Sequence, residues 1–164
     1  MPIDEKQLRS YAYNDVFIET GTWMGGGIRV AIACGFPLIY SIEKSDKLFN
    51  RATEKFKNND NVEIIKGDSA EQLPLLLERI DCRATFWLDA HIPDCPLLEE
   101  LAAIGAHPIK EHTILIDDRR IFDGKGLDVK EDDVISAIMK INPYYKVEYL
   151  ATRRNPTDII VASI

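Results

Sequence analysis

The stretch VFIETGTWMGGGIRVAIACG, residues 16–35, decides the fold. Residues 15–20 are a short apolar run with β-branched and aromatic side chains that ends in turn residues, which is typical of a buried strand. The glycines follow directly, and residues 26–35 then predict a helix that stops at Gly35, a residue able to take the left-handed conformation of a helix end. The stretch therefore predicts a strand, a glycine-rich turn and a helix.

The same alternation continues along the chain. After a helical start at residues 4–11, the pattern predicts further strands at residues 38–43, 61–68, 83–91, 112–118, 144–151 and 157–164. It predicts helices between them at residues 45–59, 70–80, 96–105 and 132–141, with Ser45 as an N-cap and Gly105 as a stop.

The lengths of the connections predict how the strands pair. The first five strands are joined through helices, as parallel neighbours require, whereas TRRNP between the last two is too short to hold a crossover helix. We therefore expect an α/β fold: a Rossmann-like, doubly wound, seven-stranded sheet, mostly parallel, with a C-terminal antiparallel hairpin. The length fits a single domain over residues 1–164.

Charge and hydropathy exclude several function classes. The net charge is −7, and no long basic run offers a phosphate-neutralising surface, so nucleic acid is not expected as a partner. No run of about 18 uncharged apolar residues predicts a membrane span, and the first residues lack the apolar stretch of a signal peptide. We expect a cytoplasmic protein. Cys34, Cys82 and Cys95 are too widely spaced to suggest a disulfide framework or a zinc site.

Acids stand at the end of each of the first five strands. In doubly wound sheets ligands bind beyond the carboxyl ends of the strands, at the point where the strand order reverses. The residues at these ends are the candidate site residues: Glu19, Gly21, Glu43, Asp68, Asp89, His91, Asp117 and Asp118.

The first turn narrows the ligand class. Amide groups at a glycine-rich strand-to-helix turn, with the positive end of the helix dipole, favour an anion. The phosphate-loop pattern is absent because Gly27 stands where its lysine belongs, and the dinucleotide fingerprint fits poorly because Val30 takes the place of its third glycine. Glu19, two residues before Gly21, would repel a pyrophosphate. A ligand carrying both a carboxylate and an ammonium suits the turn better.

Three segments, in this order, resemble class I S-adenosylmethionine-dependent methyltransferases. ETGTWMGGG is similar to the family's first motif, YSIEKS to the segment with the acid that ends its second strand, and KGDSAEQLP to its strand-three motif. The resemblance covers nearly the whole chain, including the terminal hairpin. The residues that it assigns to cofactor binding are Glu19, Gly21, Thr22, Gly25, Gly26, Glu43, Asp68 and Ser69.

The resemblance also implies roles for these residues. Amides around Gly21 and Gly25 would approach the methionine part of S-adenosylmethionine, with Glu19 near its ammonium. Glu43 would accept hydrogen bonds from both ribose hydroxyls, for which a carboxylate with two acceptor oxygens is suited. Asp68, with the backbone at Ser69, would meet the adenine.

FWLDAH and LIDD are similar to segments of the metal-dependent O-methyltransferases of the catechol and macrolide-sugar type. This resemblance implies that Asp89, Asp117 and Asp118 hold a Mg²⁺-like ion, which takes oxygen ligands. The ion would lower the pKa of a substrate hydroxyl, and the oxygen would attack the sulfonium methyl. His91 is the candidate general base. The alternative is that His91 caps a helix or orients Asp89.

The expected function is therefore methylation of a small hydroxylated acceptor by S-adenosylmethionine, assisted by Mg²⁺. Candidates for recognising an anionic acceptor are Arg119, Arg120 and Lys125, with a solvated loop as the alternative. Candidates for covering an aromatic or sugar ring are Tyr11, Tyr13 and Trp23, with a core position as the alternative. Three other functions stay open: a metal-independent methyltransferase, a cofactor-binding module without catalysis, and a nicotinamide-dependent oxidoreductase. A homo-oligomer also stays open.

Overall fold

Strands and helices alternate along the chain as the sequence predicts. The computed structural model describes residues 3–91, 94–125, 127–153 and 155–164. The strands are β1 (Val16–Thr20), β2 (Leu38–Glu43), β3 (Val62–Lys66), β4 (Ala84–Leu88), β5 (Thr113–Ile116), β6 (Lys146–Leu150) and β7 (Ile159–Ser163). The helices are α1 (Glu5–Arg9), α2 (Gly26–Cys34), α3 (Asp46–Phe56), α4 (Ser69–Leu77), α5 (Leu97–Ala106) and α6 (Glu131–Ile141), with a 3₁₀ turn at Arg119–Ile121.

All seven strands form one sheet in the order β3-β2-β1-β4-β5-β7-β6. The strands from β1 to β5 pair in parallel, whereas β7 pairs antiparallel with both β5 and β6. The predicted Rossmann-like sheet with a C-terminal antiparallel hairpin is confirmed. The order reverses between β1 and β4, so the crevice at their carboxyl ends is the expected ligand position.

Helices cover both faces of the sheet. One apolar cluster joins α4, α5 and α6 to the sheet, with Leu73, Leu101 and Ile138 as buried members from these helices. The other joins α1, α2 and α3 to the opposite face through residues such as Leu8 and Ile28. Because every residue of β1 and β4 is buried, these strands anchor the site rigidly. Each fully buried large apolar side chain contributes about 1.5–3 kcal/mol.

One helix end differs from the prediction. Gly105 was expected to stop α5, but α5 continues through it to Ala106. His107, which caps the helix, is extended, with ψ at 141°. Pro108 accounts for this conformation, since a proline disfavours the helical conformation of the preceding residue.

The described helices are all too short or too polar to cross a membrane.

Candidate functional site

A cleft of about 600 Å³ opens at the carboxyl ends of the central strands. The backbone hydrogen bonds between neighbouring strands continue one residue beyond the strand ends, and they hold the site residues in place. The amide of Gly21 donates to Ile42 O at 3.0 Å, that of Asp89 to Thr20 O at 3.1 Å, and that of Asp117 to Leu88 O at 3.1 Å. The predicted site residues that line the cleft are Gly21, Glu43, Asp68, Ser69, Asp89, His91 and Asp118.

The turn after β1 brings the backbone close to β4. Gly21 has φ of 82°, and a Cβ there would lie 2.6 Å from the carbonyl oxygen of Asp89. Trp23 also has a positive φ, 48°, yet its side chain is 69% exposed at the cleft. A bulky residue in this conformation is strained, and such strain often occurs at ligand sites. Trp23 is therefore not a core residue, and its ring is free to cover a ligand.

Glu19 lies behind the wall of the cleft rather than in it. Its carboxylate packs against Gly27 in the first turn of α2, where any Cβ would collide with Oε1. Ser41 Oγ donates to Glu19 Oε2 at 2.5 Å, and the hydroxyls of Ser41 and Thr22 are 2.7 Å apart. Burial raises the pKa of Glu19 to about 8, and the charges of Asp89 and Glu43 add to this increase.

Thr22, Gly25 and Gly26 support the turn from behind the cleft. Thr22 is buried against Ser41, Gly25 is the N-cap of α2, and Gly26 is its first residue. None of the three is among the residues that line the cleft. Their predicted contact with a cofactor stays a prediction.

Glu43 connects the turn after β1 with the start of α3. Its Oε2 accepts the Trp23 amide at 2.9 Å and its Oε1 accepts the Ser45 amide at 2.8 Å. The side chain is buried at the cleft wall. Because a carboxylate oxygen has two lone pairs, each oxygen keeps one acceptor position for a ligand hydroxyl.

Asp68 caps α4 at the other side of the cleft. Its Oδ1 accepts the Ala70 amide at 3.0 Å, and its Oδ2 lies 2.8 Å from Lys44 Nζ. Lys44 also reaches Asp94 at 3.2 Å, so one cation joins β2 to the loop after β4. The hydrogen bond from Lys44 holds the pKa of Asp68 below its usual value, in spite of partial burial. Asp68 is therefore an anion at neutral pH.

The acids after β4 and β5 repel one another. Burial, together with the charges of Asp117 and Asp118, raises the pKa of Asp89 to about 8. Burial raises the pKa of Asp117 to about 6, while the Asp118 backbone amide opposes this shift and the Asp118 charge adds to it. Asp118 has a left-handed backbone, with φ of 56°. Carboxyl groups in this state favour a cation beside them.

The tightest acidic group in the described part of the chain is not the expected one. It consists of Asp117, Asp118 and Asp158, each offering a ligand oxygen within 4.8 Å of the others. Arg120 pairs with two of them, with its Nη1 at 2.7 Å from Asp118 Oδ1 and 2.5 Å from Asp158 Oδ2. The set of cation ligands expected from the sequence contains Asp89 in place of Asp158.

Asp158 was missed because only the carboxyl ends of strands were considered. β7 runs antiparallel to β5, and Ile116 pairs with Ile160, so the residues just before β7 lie beside those just after β5. The short link that predicted the hairpin was therefore also a signal for Asp158. Glu100 was missed as well: this buried carboxyl lies beside the hydroxyls of Ser69 and Thr20, and burial raises its pKa to about 7.

His91 lines the cleft but is itself 1% exposed. Its Nδ1 lies 3.9 Å from Cys95 Sγ, its ring meets Phe122 edge-on at 5.3 Å, and its Nε2 has no hydrogen-bond partner among the described residues. Burial lowers its pKa to about 4, although the charge of Asp118 acts in the opposite direction. The imidazole is therefore neutral at pH 7 and a weaker base than an exposed histidine.

The two arginines predicted to face an acceptor are held within the protein. Arg119 pairs with Glu131 at 2.8 Å and donates to Thr157 Oγ1 at 2.9 Å, while Arg120 bridges the aspartates described above. In this arrangement neither guanidinium is free for an anionic acceptor.

No family model matches the chain, and no curated protein sequence matches it. Solved structures do match its fold. An O-methyltransferase from Bacillus cereus in complex with SAH is 16% identical, with a TM-score of 0.69 over 98% of this chain and 78% of that one. The SAH-bound methyltransferase PaMTH1 from Podospora anserina is 14% identical, with a TM-score of 0.69 over 97% of this chain and 75% of that one. The O-methyltransferase TomG from Streptomyces achromogenes, in complex with SAM, is 12% identical, with a TM-score of 0.68 over 98% of this chain and 77% of that one. The chain thus has the fold of these methyltransferases.

Proposed function

We propose that this protein is an S-adenosylmethionine-dependent methyltransferase, of EC 2.1.1 type, that methylates a hydroxyl of a small acceptor with the help of a Mg²⁺-like cation. The observation that carries the proposal is the cleft at the strand-order reversal, with the Gly21 turn on one side and Glu43 on the wall. Structures that share this fold hold SAH or SAM, which supports the cofactor class.

The cleft residues suit the parts of this cofactor. Glu43 keeps one acceptor position on each oxygen, as two ribose hydroxyls require. Gly21 leaves the backbone uncovered for the methionine part, and Asp68 and Ser69 line the side assigned to adenine. When bound, the cofactor supplies an electrophilic methyl group on a sulfonium. The cleft residues would hold the acceptor beside it, which would reduce the entropic part of the barrier.

Asp89, Asp117 and Asp118 are the residues proposed to hold the cation. Their oxygen donors fit a hard divalent ion, and among the described residues the buried Asp117 Oδ1 has no hydrogen-bond partner. A cation there would supply a lower pKa for an acceptor hydroxyl. His91, which lines the cleft, is the residue proposed to take up the released proton, since the charge of Asp118 would stabilise the protonated ring.

The test of the cofactor site is the change Glu43→Gln. We expect the affinity for S-adenosylhomocysteine to fall at least about tenfold, because a carboxylate is a stronger acceptor than an amide by about 1.4 kcal/mol or more. Calorimetric titration measures this change. Glu78→Gln, a change of the exposed C-cap residue of α4, is the control and should bind like the wild type. Unchanged affinity in Glu43→Gln would remove the assigned role of this residue.

One observation favours a second candidate, a methyltransferase that needs no metal. Arg120 already places a positive charge between Asp118 and Asp158. Under this alternative, methyl transfer would persist in a chelator and in the Asp117→Asn variant. The free cysteines Cys34, Cys82 and Cys95 suit the reducing cytoplasm for either candidate.

A further inference from the structure

Asp158 brings a carboxylate from the C-terminal hairpin to the edge where the parallel strands end. It stands directly before β7, beside the residues that follow β5, and it is 1% exposed. The cation set implied by the strand ends does not use it. A carboxylate buried this deeply is costly unless its oxygens have partners.

The partners of Asp158 account for one of its two oxygens. Oδ2 accepts from Arg120 Nη1 at 2.5 Å and from Thr152 Oγ1 at 2.8 Å. Oδ1 is buried and has no hydrogen-bond partner among the described residues. In the same part of the chain Asp117, also 1% exposed, lacks a partner at its own Oδ1. Two buried acidic residues of one cluster thus each keep one oxygen without a partner from the described residues.

The charges of the cluster do not balance. Asp117, Asp118 and Asp158 offer ligand oxygens within 4.8 Å of one another. Arg120 is the one cation paired with the cluster in the described part of the chain, and its guanidinium contacts only Asp118 and Asp158. One guanidinium thus faces three acidic side chains. A divalent cation would supply both the missing charge and a partner for the open oxygens.

We propose that Asp158 is a ligand of a divalent-cation site formed with Asp117 and Asp118, and that Arg120 competes with the cation for these carboxylates. The inference rests on the cation-assisted form of the proposed function. It adds to the proposed cation site one ligand from the antiparallel hairpin, Asp158. It also assigns to Arg120 an effect on the affinity of the site for the cation.

The test is direct binding of Mn²⁺, measured from the electron paramagnetic resonance signal of the free ion, with no cofactor or acceptor present. Mn²⁺ takes the same carboxylate ligands as Mg²⁺. We expect Asp158→Asn to weaken binding at least about tenfold, as the loss of one charged ligand near the ion implies. Asp128→Asn is the matched control, because Asp128 is an exposed acid in the loop before α6. This variant should bind Mn²⁺ as the wild type does.

Arg120→Gln gives a second readout in the opposite direction. Removing the competing guanidinium should tighten Mn²⁺ binding several-fold, which a merely destabilised cluster would not do. Thermal unfolding of both variants without metal shows whether they are folded. If Asp158→Asn fails to fold, the result with Arg120→Gln decides.

The outcomes separate this inference from the proposed function. Weaker binding in Asp158→Asn and tighter binding in Arg120→Gln support the site, whether or not the protein binds S-adenosylhomocysteine. Wild-type affinity in Asp158→Asn, or equal or weaker affinity in Arg120→Gln, overturns it. Absence of Mn²⁺ binding to the wild-type protein also overturns it and leaves the cofactor site untouched.

Discussion

Gly27 allows the buried carboxylate of Glu19 to pack against the first turn of α2. A Cβ at this position would overlap Glu19 Oε1 and would also lie 3.3 Å from Trp87 Cδ1. Glu19 is buried and its Oε2 is held by Ser41, so the carboxylate has little room to move away. The residue type at position 27 is therefore set by the packing of Glu19.

Gly27→Ala should destabilise the protein by about 1–3 kcal/mol, the usual cost of overpacking a buried site. Gly105→Ala is a matched control, because Gly105 is also helical and a Cβ there would make only an ordinary contact, 3.4 Å from Ile141. It should be neutral or stabilise by up to about 1 kcal/mol, through the better helix propensity of alanine. Chemical denaturation measures both changes. Equal effects would contradict the packing argument.

His107 and His112 connect the end of α5 with the start of β5. Ala84 donates its amide to His112 Nδ1 at 3.1 Å, and His112 Nε2 lies 3.1 Å from His107 Nδ1. His107 Nε2 in turn lies 2.9 Å from Ile80 O. This chain of hydrogen bonds requires His112 to accept at Nδ1, so it needs the neutral form. Both histidines therefore have a structural role.

Acid should break this connection. Burial and the neighbouring His107 lower the folded-state pKa of His112 to about 4 from 6.5. The unfolded chain therefore binds more protons between these values, and the stabilisation is complete above pH 6.5 and is lost as the pH falls towards 4. The loss amounts to about 3 kcal/mol. In denaturation at pH 7.5 and 5.0, His112→Gln should lose less stability than the wild type. Parallel pH profiles would rule out this role.

The sequence predicted the helices and strands more completely than it predicted the arrangement of the site residues. Strand and helix periods are local, and the short link TRRNP predicted the antiparallel pairing of the last two strands, which the structure has. The direction in which a side chain leaves a strand end is not local. Glu19 lies behind the cleft because its carboxylate packs against α2. Asp158 and Arg120 lie beside Asp117 and Asp118 because β7 pairs with β5.

Across the described part of the molecule, the buried residues include five acids and no lysine or arginine. Burial raises the pKa of Asp89 to about 8 and that of Asp117 to about 6, so each contribution to stability is lost as the pH rises through these values. A cation that binds the ionised carboxyls should reverse this loss. We therefore link the pH dependence of stability to occupancy of the cation site.

Mg²⁺ should raise the melting temperature more at pH 8 than at pH 5.5, because proton competition for the aspartates is weaker at the higher pH. Differential scanning calorimetry, with NaCl at equal ionic strength as the control, measures the two shifts. A shift that is equal at both pH values, or larger at pH 5.5, would mean that the ion does not act through these carboxyls.

The central claim concerns the ligand of the cleft, and calorimetric titration of the wild-type protein with S-adenosylhomocysteine tests it most directly. NAD⁺ is the comparison ligand, since it would occupy the same edge of a Rossmann-like sheet. The account predicts saturable binding of one S-adenosylhomocysteine per chain and none of NAD⁺. Binding of NAD⁺ alone, or of neither ligand, would contradict it.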